Sequence, residues 1–248
     1  MERTAKLLTL LSTHKLLSIQ RMCDELFCSP SSLRRDLIEL EKTGAVRRVR
    51  GGAMYVAGRA HDYSFNFREN ENVTEKEYIS GIVKDFLGNG MSLFLDSSST
   101  VSKVCPVLEC LINIKVVTNG IATALVLNDC EHIDAFITGG HLQKGNATLL
   151  GEPSGDYIDN FRADLAIISC CGIDESGAFE VDPEQARIKQ HMIVNAKKTI
   201  LLADHTKFGN SFFHRLCSFD ALQAVITDTQ PSRKIVNAIQ STDCEILY

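Results

Sequence analysis

The sequence predicts an α/β chain in two parts: a small N-terminal domain of helices closed by a β-hairpin, then a larger, mostly parallel α/β domain. Three observations predict it. Residues 1–59 hold 11 Lys/Arg against 6 Asp/Glu and the remainder 15 against 25, so a net charge of −5 conceals a basic head (+5) on an acidic body (−10). Three short helical periods precede residue 43 and lead into an arginine-rich alternation. From residue 73 onward, strand-like and helix-like segments succeed one another regularly.

With 44% hydrophobic and 23% charged residues in 248, the chain can bury a sizeable core. No apolar run approaches the roughly 18 residues that cross a bilayer, and "MERTAKLLTLLSTHK" lacks a secretory signal's apolar stretch, so a cytoplasmic protein is expected. Nine cysteines, without CxxC or Cys/His metal spacing, read as reduced thiols filling cores, and neither metal nor cofactor is expected.

In the head, Leu7, Leu8 and Leu11 share one face of a helix over residues 3–12. Ser18 caps a second helix whose Ile19, Met22, Cys23 and Leu26 form an apolar stripe. In "CSPSSLRRDL", Ser29 stands at the cap and Pro30 at the first helical position of a third helix. Its Leu33, Leu37 and Leu40 face inward, while Ser31, Arg34, Arg35, Ile38 and Lys42 face outward. Gly44 supplies a stop. "AVRRVRGGAMYV" then alternates into a hairpin turning at Gly51-Gly52.

This order is that of a winged helix-turn-helix, whose third helix enters the DNA major groove with its N-terminal residues leading. Arg34 and Arg35 sit in that leading turn, suited to guanine edges or phosphates, with Ser31 and Ser32 as phosphate donors and Lys42 further along the same face. Arg47, Arg48 and Arg50 make a basic wing for the sugar-phosphate backbone. The expected partner is double-stranded DNA. Because one small head holds DNA weakly at physiological salt, a homo-oligomer, dimer or tetramer, is expected.

Residues 58–72 read as a linker between a head of residues 1–57 and a body of residues 73–248. The body begins with a helix near 73–88. Strands follow at "MSLFLD", "IKVVT", "IDAFITGG", "ADLAIIS", "TILLAD", "QAVITD" and "CEILY". Helices are expected from Thr100, over "GIATALVLN", and near 184–197 and 231–241.

Ligands of such sheets bind beyond the carboxyl ends of the strands, so the residues that follow each strand are the candidates. The first strand runs into Asp96, Ser97, Ser98, Ser99 and Thr100, hydroxyls that lead into a helix and suit a phosphate. Thr118, Asn119 and Gly120 end the second strand, and Gly139 and Gly140 the third. Gly172 and Asp174 follow the fourth, and Asp204 and the cation Lys207 the fifth.

The head resembles that of the DeoR family of bacterial transcription regulators: "SPSSLRRDLIELEKTGAVRRVRGGA" follows the family's recognition helix, its Leu-Glu-x-x-Gly exit and its Arg-x-x-Gly-Gly-Ala wing. Ser32 and Leu33 stand where threonine and isoleucine are usual. The body is similar to the family's sensor domain, itself similar in fold to ribose-5-phosphate isomerase. The resemblance implies a transcription regulator, most often a repressor of a carbohydrate operon, that a phosphorylated sugar or related metabolite releases from its operator. Asp96–Thr100 corresponds to the family's Asp-x-Gly-Ser/Thr-Thr loop with Ser98 in place of glycine, and "LLADHTKFG" to Ala-Asp-x-Ser-Lys, which assigns roles to Asp204 and Lys207. Gln185 replaces the second acid of the usual Glu-Glu-Ala. The rival reading is a sugar-phosphate isomerase with an accessory head, but the position that looks equivalent to the isomerase's carboxylate base is Lys189, and a protonated lysine cannot serve as one. No enzyme activity is therefore expected.

Overall fold

The computed structural model describes residues 2–42, 45–55 and 64–248, and the chain divides into two compact units, Met1–Glu71 and Asn72–Tyr248. The small helical head and the larger parallel α/β body are both present. Gly44, the expected helix stop, lies outside the described residues, as do residues 58–63 of the expected linker.

In the head unit, helices α1 (Glu2–His14), α2 (Ile19–Leu26) and α3 (Pro30–Lys42) bury the leucines that their periodicity selects, with Leu7, Leu11, Met22, Leu33 and Leu37 at 0% exposure. The two caps form as the sequence indicates. Ser18 Oγ accepts the Arg21 amide at 3.2 Å, and Ser29 Oγ accepts the Ser32 amide at 3.3 Å. The wing is larger than a hairpin: β1 (Leu16–Ser18) joins β2 (Val46–Val49) and β3 (Gly52–Tyr55) in the order β1-β3-β2. A Cβ at Gly52 would lie 2.3 Å from the Leu17 carbonyl oxygen, so β1 can approach β3 only where a side chain is missing. Residues 65–69 of the stretch read as linker form a short helix, α4 (Phe65–Glu69), whose Phe67 packs against the head core.

The body is built on a seven-stranded sheet in which every pairing is parallel. Helix α5 (Val73–Ile82), continued by a 3-10 turn to Phe86, precedes β4 (Ser92–Leu95). A second 3-10 turn and the four-residue α6 (Cys105–Leu108) lead to β5 (Ile114–Thr118), and α7 (Ile121–Leu127) to β6 (Ile133–Ile137). The hairpin β7 (His141–Gln143) and β8 (Thr148–Leu150) and helix α8 (Glu152–Asp159) precede β9 (Ala163–Ser169). Strands β10 (Gly172–Asp174) and β11 (Gly177–Glu180) then lead into α9 (Pro183–Asn195) and β12 (Ala196–Leu202). Last come β13 (His214–Cys217), β14 (Ala224–Ile226), α10 (Arg233–Gln240) and β15 (Glu245–Leu247).

The order β15-β14-β12-β9-β4-β5-β6 places the chain's first sheet strand, β4, in the interior, with successive strands added outward on one side and then on the other. That reversal makes the carboxyl ends of β4 and β9 a topological switch point. Both faces are covered, as parallel sheets require: Phe94, Ala166, Ile168 and Leu201 pack on one side, and Leu93, Leu95, Ile167 and Ile200 on the other. Three short strands form a separate antiparallel sheet, β10-β11-β13. No helix among the described residues is long and apolar enough to cross a membrane.

Candidate functional site

On the head, α3 presents its polar face to solvent. Ser31, Arg34, Arg35 and Lys42 are exposed and Ser32 is half-buried; on the wing Arg47, Arg48 and Arg50 are exposed. The cations are not equivalent. Arg48 is held by Glu41 of α3, its Nε 2.5 Å from Oε2 and its backbone amide 2.9 Å from Oε1, and Lys42 pairs with Glu39 at 2.8 Å. Arg34, Arg35, Arg47 and Arg50 have no ion-pair partner among the described residues. At the front of α3, the Ser29 hydroxyl bonds to those of both Ser31 and Ser32. Arg3 of α1 grips Asp36 of α3 with two bonds, 2.6 and 3.0 Å, which fixes the arginine-bearing helix against the first. The sequence reading overlooked Asp36, because a lone acid beside two arginines looks like a solvated charge.

In the body, Asp96, Ser97, Ser99 and Thr100 are buried where β4 ends, and Ser98 is half-buried. Asp96 is committed to structure: Oδ1 accepts the Ser98 amide at 2.8 Å, Oδ2 accepts the Ser169 amide at 2.9 Å, and Lys189 Nζ lies 3.0 Å from Oδ2. The expected helix after Thr100 is a 3-10 turn, Val101–Val104, and α6 is too short to supply a macrodipole, so that part of the phosphate argument is corrected. A different source of anion affinity replaces it. The amides of Ser97, Ser99 and Thr100 find no acceptor among the described residues, leaving three N–H groups in one loop beside three hydroxyls.

The end of β5 closes one side of this loop. A Cβ at Gly120 would lie 2.9 Å from Ser97 Cα, so glycine lets the two loops touch. Thr118 is fully buried, its Oγ1 accepting the Gly120 amide at 3.0 Å. Asn119 donates to Thr148 Oγ1 at 2.9 Å and to the Leu149 carbonyl at 3.2 Å, yet among the described residues its buried Oδ1 finds no partner, nor does Thr123 Oγ1 of α7.

The other candidates separate. Lys189 is buried in a network with Glu180 Oε1 at 2.5 Å and the Ser169 carbonyl at 2.7 Å. Burial alone would lower its pKa; the charges of Asp96 and then Glu180 outweigh that and hold it above the usual lysine range, so it stays a cation. Asp204 accepts from Thr206 through both amide and hydroxyl, which makes it the cap of the 3-10 turn His205–Lys207 rather than a free carboxylate. Lys207 is half-buried with no side-chain partner among the described residues, and its charge bears on the thiol of Cys170 just beyond β9. Gly140, at φ 116°, makes room for the Leu150 carbonyl, and Gly139 accepts from Ser154. Gly172 makes room for the Asn210 carbonyl, and Asp174 closes the β10–β11 turn through Ser176 at 2.7 Å. Gly172 and Asp174 belong to β10 of the antiparallel sheet, which begins just beyond the end of β9. Two buried charges the reading overlooked are present: Glu180, and Lys76 of α5, whose ammonium donates to Ser99 Oγ at 3.2 Å.

Comparison with known proteins agrees with this layout. Residues 3–58 match the DeoR-like helix-turn-helix domain and residues 71–229 the DeoR C terminal sensor domain. The chain is 30% identical to the HTH-type transcriptional repressor GlcR of Bacillus subtilis, covering 99% of this chain and 95% of the relative. It is also 30% identical to the glycerol-3-phosphate regulon repressor of Escherichia coli, over 90% of this chain and 88% of that one. Among solved structures, ribose 5-phosphate isomerase A of Methanocaldococcus jannaschii superposes with a TM-score of 0.41 at 14% identity, covering 56% of this chain and 55% of the isomerase. Both family matches fall on the parts that carry the two sites, and together they show that the chain belongs to the DeoR family of DNA-binding transcription regulators.

Proposed function

We propose that the chain is a cytoplasmic repressor of a sugar or carbohydrate operon, released from operator DNA when a phosphorylated sugar or related metabolite enters the carboxyl edge of the sheet. The observation that carries this reading is the Ser97–Thr100 loop, where three amides find no acceptor among the described residues and a set of hydroxyls lies beside them at the switch point. The orphaned Asn119 Oδ1 and Thr123 Oγ1 suit the hydroxyls of the same ligand, and Lys207 suits its phosphate. The regulon named for the E. coli relative, that of glycerol-3-phosphate, fits this ligand class. We assign no enzyme activity, because Lys189 is a paired cation where an isomerase would need a free carboxylate.

The experiment screens phosphorylated sugars against release of a DNA duplex that the protein has itself selected from a random pool, with thermal shift and product formation followed on the same samples. Release without product supports the reading. Turnover of a compound, or no release by any phosphate ester, overturns it.

A further inference from the structure

The connection between α2 and α3 sets two thiols side by side. Helix α2 ends at Phe27, whose φ of 49° and ψ of 47° lie in the left-handed region, and beyond it the Cys28 amide donates back to the Cys23 carbonyl at 3.1 Å. A six-to-one bond around a left-handed residue is a Schellman ending, in which the side chains of the first and last residues meet. Both are cysteines here. Cys23 is 7% exposed and belongs to the head core, and the half-buried Cys28 packs against the same core. The left-handed position is held by a phenylalanine that is 96% exposed, so its ring adds no packing to the turn and the contact between the cysteines is what closes it. Burial first, and then the neighbouring Cys28 sulfur, push the Cys23 thiol above its ordinary range. The Cys28 sulfur also lies within the field of the Arg3 guanidinium.

A disulfide needs Cα atoms about 4.4 to 6.8 Å apart, a separation that two residues joined by a direct backbone hydrogen bond satisfy. We propose that Cys23 and Cys28 form a reversible disulfide when hydrogen peroxide or another peroxide reaches the head, and that this bond weakens the head's grip on DNA. The proposal concerns the head alone and is independent of the anion site in the body.

Cys28 is the more accessible thiol and the one beside a cation, so it reacts first, as the thiolate. Its sulfur attacks one peroxide oxygen, an S–O bond forms as the O–O bond breaks, and the departing hydroxide takes up the thiol's proton as water. Cys23 then attacks the sulfenic sulfur: the S–S bond forms, the S–O bond breaks, and a second water leaves with the Cys23 proton. Two thiols have lost two electrons and two protons to one peroxide. A thiol reductant reverses the step by exchange.

To bond, the sulfurs must close from contact to covalent distance. Cys23 is fixed within α2 and the core, so Cys28 moves. The next residue is Ser29, whose Oγ accepts the Ser32 amide and bonds to the Ser31 and Ser32 hydroxyls, followed by Pro30 at the first position of α3. Farther along the helix, Asp36 stays tied to Arg3. The displacement therefore falls on the front of α3, the end that leads into the major groove in a helix-turn-helix, and hydrogen bonds made there weaken steeply with distance and angle.

The test uses the full chain, hydrogen peroxide and the protein-selected duplex. Trypsin releases both cysteines in one peptide, residues 22–34. After peroxide this peptide should be lighter by two hydrogens and resist alkylation, and dithiothreitol should restore it. Duplex affinity measured by anisotropy should fall at least about tenfold on oxidation and return on reduction. Cys28→Ser should bind the duplex as the reduced wild type does and ignore the same peroxide treatment; Cys23→Ala, which breaks the pair from its buried side, should be equally insensitive. A peptide that still takes up two alkyl groups after peroxide, or that carries a sulfinic acid or a bond to a second chain instead, overturns the disulfide. A disulfide that forms and leaves duplex affinity unchanged overturns the switch, as does a Cys28→Ser protein that loses affinity to peroxide as the wild type does.

Discussion

The ammonium of Lys189 lies 3.0 Å from Asp96 Oδ2 and 2.5 Å from Glu180 Oε1, and all three side chains are buried at the switch point between β4 and β9. One cation thereby compensates two carboxylates contributed by different elements. Lys189→Met should therefore leave both acids unpaired and lower stability by about 3 to 5 kcal/mol in urea unfolding. Adding Asp96→Asn and Glu180→Gln to that variant removes the stranded charges and should restore part of the loss. A Lys189→Met protein as stable as wild type would mean that the network does not form.

The head cations should divide by their partners. Arg34→Ala and Arg35→Ala should each weaken binding to the selected duplex, by about 1 to 3 kcal/mol where the arginine reads a guanine, with little change on unrelated DNA. Arg47→Ala and Arg50→Ala should weaken all duplexes alike and reduce the slope of affinity against salt by about one contact each. Arg48→Ala should cost less than Arg50→Ala, because Glu41 already occupies its guanidinium. Anisotropy titrations at several salt concentrations distinguish these outcomes. An Arg34→Ala/Arg35→Ala double variant with wild-type affinity would remove α3 from the interface.

Most of the scaffold was legible in the sequence because its signals are local. The leucine faces of α1 and α3, the caps Ser18 and Ser29, and all seven strands of the parallel sheet follow from periodicity and from residues a few positions apart. What was missed depends on distant pairing. Strand β1 exists because Leu16–Ser18 meets Gly52–Met54, and the β10-β11-β13 sheet because residues 177–180 meet 214–217. At the site, the hydroxyl loop and Lys207 were legible as strand endings. Lys76 and Glu180 were not: a charge inside an amphipathic stretch reads as a solvent face until the fold buries it.

A carboxylate at the other end of the sheet sets an acid limit. Asp164 is held down to about 2, chiefly by the hydrogen bond from Lys197 and then by those from the amide and hydroxyl of Ser92, which tie β9 to β4. Its ordinary value is 3.8, so the native state binds this proton less readily than the unfolded chain does. The stabilisation is therefore complete above that ordinary value and is lost as pH falls toward 2. Asp164→Asn should be less stable than wild type at pH 6, with the difference closing on acidification. Urea midpoints across this range that run parallel for the two proteins would refute the assignment.

Assembly should show in solution. A single head offers four arginines without an ion-pair partner among the described residues, too few phosphate contacts to hold DNA at physiological salt, and symmetric pairing doubles them. Light scattering at micromolar concentration should return a dimer or larger species, with or without the duplex; a monomer under both conditions would count against it.

The last prediction separates a cation and a hydroxyl of the proposed anion site. Lys207 stands on the turn after β12, and the cradle follows β4, with β9 between them in the sheet. Adjacent strands lie about 4.8 Å apart, so the two elements face each other over about 10 Å, a gap that a lysine side chain and one phosphate can bridge. The Lys207 side chain has no partner among the described residues, so its replacement should strand no buried charge and leave the fold intact. Lys207→Ala should keep wild-type melting and duplex affinity while losing on the order of 1.5 to 3 kcal/mol of effector binding. Ser99→Ala should show a smaller loss of the same kind, because a neutral hydroxyl contributes a weaker bond than an ammonium does. The two effects should fall short of additivity when combined, since both groups hold one phosphate and the second loss acts on a ligand already loosened. Strict additivity would place Lys207 and Ser99 on different parts of the ligand. Unchanged effector response in both single variants would move the phosphate away from this edge altogether.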